Sequence, residues 1–279
     1  QTYVPDDNFE AYLEANGMGN GIPNDDYVTT SSIASAGGLY VSNQNISDLT
    51  GIEDFISIAN LQCNNNQLTI LDLSNNTALS YLECWGNQLT MLDLSQNPLL
   101  DFLFCQNNQI TTINLSSNIV LYSFQCNNNL LTSLDLSSNT ALTYLYPFSN
   151  QITSLDVSNN PALAYLYCYG NTSLLTLDLI HNQLLKHIEC ADTYLTSIDV
   201  RNGTNSLLNY FDLQNNPFLS CINVDDSLFC SNNWNSPNHH FDAHHYFSEN
   251  CYATTSIQEH TANKELLQTT DLLGKETKG

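Results

Sequence analysis

Leu79-Ser80-Tyr81-Leu82-Glu83-Cys84-Trp85-Gly86-Asn87-Gln88-Leu89 runs straight into Thr90-Met91-Leu92-Asp93-Leu94-Ser95-Gln96-Asn97. The first half has the spacing L-x-x-L-x-C-x-x-N-x-L, and the second nearly repeats it. In both halves alternate apolar residues point one way, the pattern of a short strand with one buried face. The unit then recurs. Cys63, Cys84, Cys105, Cys126 and Cys168 lie on one 21-residue ladder, Pro147 fills the missing rung, and Cys190 follows one residue late. A fixed short period means one supersecondary unit copied along the chain. The expected architecture is therefore a solenoid, with function on its repeated surfaces.

The period gives every neighbouring side chain a direction. On the first strand of each turn the inward set is Leu61/Cys63, Leu82/Cys84, Leu103/Cys105, Phe124/Cys126 and Leu166/Cys168. On the second it is Leu71/Leu73, Leu92/Leu94, Ile113/Leu115, Leu134/Leu136, Leu155/Val157 and Leu177/Leu179. Two asparagine columns, one from Asn66 to Asn171 and one from Asn76 to Asn182, are expected at the corners. There a buried amide can bond backbone groups that a turn leaves without partners.

These residues resemble the leucine-rich repeat, in the 21-residue bacterial form with two strands per turn. The repeat length and cysteine column resemble those of the cysteine-ladder internalins. The resemblance covers about residues 39–220. It implies a repeat solenoid with parallel strands on two faces and few helices. The expected organisation is an N-terminal helical cap over 1–38, the solenoid over 39–220, a C-terminal cap over 221–254 and a distinct segment over 255–279. Pro5-Asp6-Asp7-Asn8 with Phe9, Tyr12 and Leu13 reads as the cap's amphipathic helix, ended by Gly17. The 221–254 stretch resembles the terminal segment of leucine-rich proteins from the Bacteroidetes. Residues 256–278 resemble the start of a type IX secretion sorting domain and hold three of the five basic residues. The closing strands of such a domain are missing. That resemblance implies export, and the secretion machinery as a partner. Gln1, followed directly by folded-looking sequence, suggests a mature chain whose signal has been removed.

Charge excludes further classes. The net charge is −23, and no Lys or Arg precedes Lys186. Such a surface repels phosphate backbones and anionic membranes, so no nucleic-acid partner is expected. No run of eighteen apolar residues exists, so no membrane insertion is expected either. Catalysis needs acid, base or nucleophile converging on one place. The histidines are confined to residues 181 onward, and no phosphate loop or hydrolase motif occurs. Neither enzyme activity nor a cofactor is expected.

The six ladder cysteines are expected as reduced core, because parallel Cβ vectors suit disulfide geometry poorly. Of the other three, a cap disulfide between Cys221 and Cys251 is the expected pairing, with Cys230 unexplained. Placed on a helix, His240 and His244 would share a face and could bind a metal, although a polar cap surface explains them as well; no metal ligand is assigned. An aspartate column with one asparagine (Asp72, Asp93, Asn114, Asp135, Asp156, Asp178, Asp199) would either accept hydrogen bonds from the next turn or be bridged by cations such as calcium. A threonine column from Thr69 to Thr153 admits an ice-binding reading, though strand propensity explains it too.

The sharpest functional signal is aromatic. The outward positions of the first strand hold Tyr81, Trp85, Phe102, Phe104, Tyr144, Tyr146, Phe148, Tyr165, Tyr167 and Tyr169. The rung at Ser123, Gln125 and Asn127 is polar, and so are the rungs beyond either end. An exposed aromatic cluster with a polar rim marks a recognition surface. Tyr and Trp suit both protein hot spots and sugar stacking. The expected function is a secreted or surface-displayed recognition or adhesion protein that binds a protein or glycan through this concave patch. A spacer without its own ligand is the alternative.

Overall fold

The computed structural model describes residues 1–235 and 237–251. It divides into a unit of Gln1–Glu249 and a unit of Asn250–Gly279. The segment 255–279, with the expected sorting domain, lies outside the described residues. The first unit is a parallel β-solenoid of about ten turns. Three-residue strands at Gly38–Tyr40, Asn60–Gln62, Tyr81–Glu83, Phe102–Phe104, Ser123–Gln125, Tyr144–Tyr146, Tyr165–Tyr167, His187–Glu189 and Tyr210–Asp212, then His239–His240, form one ten-stranded sheet in chain order. Register steps by one coil each time: Leu61 pairs with Leu82, Leu82 with Leu103, and Leu145 with Leu166.

The inward residues behave as the period requires. Leu61, Leu82, Leu103, Phe124, Leu145, Leu166, Ile188 and Phe211 are all fully buried. Burying such a side chain contributes roughly 1.5–3 kcal/mol, and each coil realises it only against its neighbours. The corners are made by left-handed residues, at φ near +55° in Asn65, Asn107 and Asn128 and at +67° in Gly86. Asparagine and glycine tolerate this conformation best.

The first asparagine column is fully used. Asn87 Nδ2 donates to the carbonyls of Cys63 and Cys84 at 3.0 Å each, and its Oδ1 accepts from Leu68 N–H at 3.0 Å. One amide thus joins two coils. In the second column Asn97 Nδ2 donates to Leu73 and Asn76 carbonyls. There the Oδ1 of Asn76, Asn97, Asn118, Asn139, Asn160 and Asn182 receives no hydrogen bond among the described residues.

The second face departs in part from expectation. Its strands pair at Leu92–Asp93 with Ile113–Asn114, and again at Thr176–Asp178, Ser197–Asp199, Cys221–Asn223 and Tyr246–Ser248. The intervening segments at 71–73, 134–136 and 155–157 keep their apolar residues buried without forming strands. The serine N–H two residues past each aspartate is taken by that aspartate's carboxylate, both in these segments and beside the paired strand Leu92–Asp93.

At the N-terminus the helix Asp7–Ala15 is capped by Asp6, whose Oδ1 accepts from Asn8 and Phe9 N–H at 3.0 Å. Its Oδ2 accepts from Ser47 N–H and hydroxyl at 2.8 Å, tying cap to solenoid. The loop at 20–26 is held by helix carboxylates: Glu14 accepts from Asn20 and Gly21 N–H, and Glu10 from Asp25 and Asp26 N–H. At the other end both sheets run on into the expected C-terminal cap. His239–His240 pairs with Phe211–Asp212, and Tyr246–Ser248 with Cys221–Asn223. His240 therefore lies on a strand and His244 in a turn, so the two do not share a helix face.

The ladder of thiols needs one correction. Cys63, Cys84, Cys105 and Cys126 are free and buried, as is Cys230, but Cys168 and Cys190 form a disulfide, with Cα atoms 5.0 Å apart. Exact 21-residue translation keeps successive Cβ vectors parallel. This coil is 22 residues long, yet Tyr165–Tyr167 and His187–Glu189 pair in the register of the regular strands, and neighbouring rungs of a parallel ladder lie within disulfide reach. Cys221 and Cys251 are also disulfide-bonded.

Candidate binding face

The ten outward aromatics named from the sequence are all half-buried, seven of them on strands of the ten-stranded sheet and Trp85, Phe148 and Tyr169 two residues past a strand end. In-register pairing puts like positions directly above one another, so their rings meet. Tyr144 stacks on Tyr165 with centroids 4.6 Å apart and planes at 9°. Tyr146 stacks on Tyr167 at 4.6 Å and 26°, and Phe148 on Tyr169 at 4.3 Å and 14°. Toward the N-terminus Tyr81 tilts against Phe102 and Phe104 at 5.7 and 5.5 Å. Of the ten, Trp85 alone makes no ring contact among the described residues.

Three further residues belong to the face. Tyr122 lies at the entry of the strand Ser123–Gln125. It packs edge-on to Phe102 at 5.6 Å and to Tyr144 at 5.3 Å. It bridges the rung expected to interrupt the patch, and its hydrogen bond with Tyr144 raises the Tyr144 phenol pKa. His187 is sandwiched between Tyr167 at 4.6 Å and Tyr210 at 4.3 Å. The rung expected to be a polar rim thus continues the file, which ends edge-on at His240. The signal for Tyr122 was its bulk where other coils carry Ser80, Asp101, Thr143 or Ala164. The signal for His187 and Tyr210 was a first-position ring once the longer late coils are put in register.

Electrostatics sharpen this face. Glu83 accepts from the Tyr81 hydroxyl, and Glu189 pairs with His187 Nε2 at 2.8 Å. Burial, with Glu83 as acceptor, pushes the Tyr81 phenol up to about 12. Burial among neighbouring phenols takes Tyr146 to about 12 as well. Both phenols therefore stay protonated at neutral pH, that of Tyr81 donating to Glu83 and that of Tyr146 with an O–H to donate.

Among the described residues the aspartate column bonds within its own coil and not to the next. Asp72, Asp93 and Asp156 accept Ser74, Ser95 and Ser158 N–H at 2.9 Å, and Asp135 accepts both the Ser137 hydroxyl at 2.6 Å and its N–H at 3.0 Å. These bonds hold the four carboxyls below the usual carboxylate range. They are turn-formers of the i to i+2 kind. The ladder thiols are pushed well up by burial, which makes them inert.

Near the C-terminal end the ligand atoms of Asp242, His244 and His245 lie within 4.8 Å of one another. Both oxygens of Asp242 already accept backbone N–H groups, from Asn215 at 3.1 Å and Asn216 at 3.0 Å. His245 Nδ1 accepts the Asp242 N–H at 3.2 Å, while Nε2 faces the Asn216 carbonyl at 3.4 Å. Burial lowers the His245 pKa and keeps the ring neutral. The single proton must then sit on Nε2, and neither nitrogen has a lone pair left for a metal.

No protein-family model and no curated protein matches the sequence. Solved structures do. The chain is similar to internalin C2 from Listeria monocytogenes, at 21% identity and a TM-score of 0.52, with 80% of this chain and 97% of that one covered. The fold is a leucine-rich repeat solenoid. YopM, a leucine-rich effector protein from Yersinia pestis, is 20% identical over 68% of this chain and 56% of that one, at a TM-score of 0.50. The functional domain of InlJ from Listeria monocytogenes, which includes a cysteine ladder, is 28% identical over 79% of this chain and 66% of that one, at a TM-score of 0.39.

Proposed function

We propose that this chain is a recognition protein that binds a protein partner through the stacked aromatic face, outside the cell. The observation that supports a protein over a glycan on this face is the stacking itself. Sugar recognition by aromatics uses an open ring face, whereas rings 4.3–4.6 Å apart cover each other's faces. The file presents ring edges and phenol O–H tips, which suit the mixed apolar and hydrogen-bonding core of a protein interface. Glu83, Glu189 and Asp212 lie at the same strand position as Phe104, Tyr146 and Tyr167 and favour a partner with basic groups there. An extracellular place is supported by the Cys168–Cys190 disulfide, since such bonds persist in oxidising compartments. Export through residues 256–278 belongs to the same proposal.

The test replaces Tyr146, Phe148, Tyr167 and Tyr169 with serine and measures adhesion of the purified chain to target cells, with thermal unfolding in parallel. Loss of at least roughly tenfold in binding is expected, as for removal of a hot-spot cluster. A chain that melts earlier yet binds unchanged is instead a spacer whose rings only stabilise the sheet.

A further inference from the structure

In four of the five regular coils a glutamine follows the corner asparagine, at Gln67, Gln88, Gln109 and Gln151, with Leu130 in the fifth. In the late coils Thr172, Tyr194 and Pro217 stand at that place. There the surface opens into a cleft of about 520 Å³, lined by these three with Asp192, Asn215, Asp242 and His244. None of the stacked strand-face rings contributes to it.

Tyr194 is the informative residue. It holds a left-handed backbone at φ +62°, a conformation that is uncommon and costly for an aromatic side chain. The residue is 46% exposed, in contrast to the half-buried strand-face aromatics, and its edge contact with Phe218 at 6.2 Å and 60° leaves the ring unstacked. Around it stand a hydroxyl, a carboxylate, an amide and an imidazole. The side chains of Thr172, Asp192, Asn215 and His244 make no hydrogen bond among the described residues. An open aromatic ring beside unpaired hydrogen-bonding groups is the chemistry that holds a sugar: the ring meets its C–H face, and the polar groups meet its hydroxyls. The lining carries two carboxylates and neither Lys nor Arg, which disfavours sialic and uronic acids.

We propose that this cleft binds a neutral sugar residue of a glycan, with its ring against Tyr194 and its hydroxyls bonded by Asp192, Asn215 and Thr172. The site is separate from the strand face and stands or falls without it.

The experiment titrates the full chain with neutral tetrasaccharides of glucose, mannose and galactose, and with sialyllactose, by calorimetry and saturation-transfer NMR. At least one neutral tetrasaccharide binds in the micromolar-to-millimolar range, and sialyllactose does not. Tyr194→Asn removes the ring while supplying a residue that accepts the left-handed backbone, so its melting temperature stays or rises while affinity falls roughly tenfold. Asp192→Asn keeps the backbone and weakens binding too, whereas Tyr146→Ser with Tyr167→Ser leaves it unchanged. Absence of binding to every neutral sugar, binding kept in Tyr194→Asn, or a preference for sialyllactose each overturns the proposal.

Discussion

The middle of the solenoid and its two ends follow different rules. From Asn60 to Asn150 the chain repeats every 21 residues, its thiols are free, and one amide column stitches coil to coil. After Asn171 the strand residues step by 22 and then 23, from Leu166 to Ile188 to Phe211. There two thiols join, a four-stranded second sheet forms, and glutamine gives way to residues that open a cleft. The N-terminal end abandons the repeat for a helix and a two-stranded antiparallel sheet that brackets it. Strict translation yields a frame in which every coil does the same job. Departures from it are where single residues acquire individual roles.

The hardest way to break this contrast is to puncture the frame. Phe124 is the largest inward residue of the regular coils and is fully buried. Phe124→Ala should cost about 3–5 kcal/mol, read by urea unfolding. Each coil contacts only its neighbours, so the loss should uncouple the coils on either side. Fragment-resolved hydrogen exchange would then show two cooperative blocks. One unchanged transition would mean that the ends, and not the middle, hold the solenoid together.

The disulfide tests the late coils on their own. It closes a loop of 22 residues, so Cys168→Ser with Cys190→Ser should cost roughly 2–4 kcal/mol. Exchange should accelerate in residues 165–212 and little before Asn129. Cys63→Ser with Cys84→Ser serves as the counterpart, since there the change is a hydroxyl in apolar core and no cross-link is lost. Loss of protection spread evenly along the chain would erase the distinction between strict and loosened coils.

What the sequence disclosed follows the same divide. The inward columns, both asparagine columns and all ten outward aromatics were legible because a 21-residue period fixes the direction of each side chain. Tyr122 was not, because a period of two assigns Ser123, Gln125 and Asn127 to the face and says nothing of a ring at the strand's entry. His187 was read as part of a polar rim because an imidazole was counted by its polarity and not by its flat ring, and Tyr210 lies one coil beyond that rim. The strands at His239–His240 and Tyr246–Ser248 come from a stretch rich in Asn, His and Asp, where hydrophobic alternation is weak. Their pairing depends on the coil beneath. The cleft at Tyr194 could be found only as a failure of the pattern, and failures have no period.

The smallest effect concerns the N-terminal end, where a carboxylate replaces the repeat as the joint. Burial alone would raise the Asp6 pKa, but hydrogen bonds from Ser47, Phe9 and Asp48 outweigh it and leave the value lowered. A depressed folded value means that the charged form is the one the fold holds. The stabilisation is therefore fully present above the ordinary carboxylate range. It is lost as pH falls through the lower folded value. Asp6→Asn keeps one acceptor for the helix N–H groups but turns an NH2 toward the donors of Ser47 and Asp48. At neutral pH it should cost roughly 1–2 kcal/mol, measured as the melting temperature of the full chain. Once the pH falls below the lowered folded value, the difference from the native chain should shrink, since protonation then removes the charge from Asp6 as well. A difference that stays constant into acid would show that shape, and not charge, joins the cap to the first coil. The N-terminal end would then belong with the apolar frame after all.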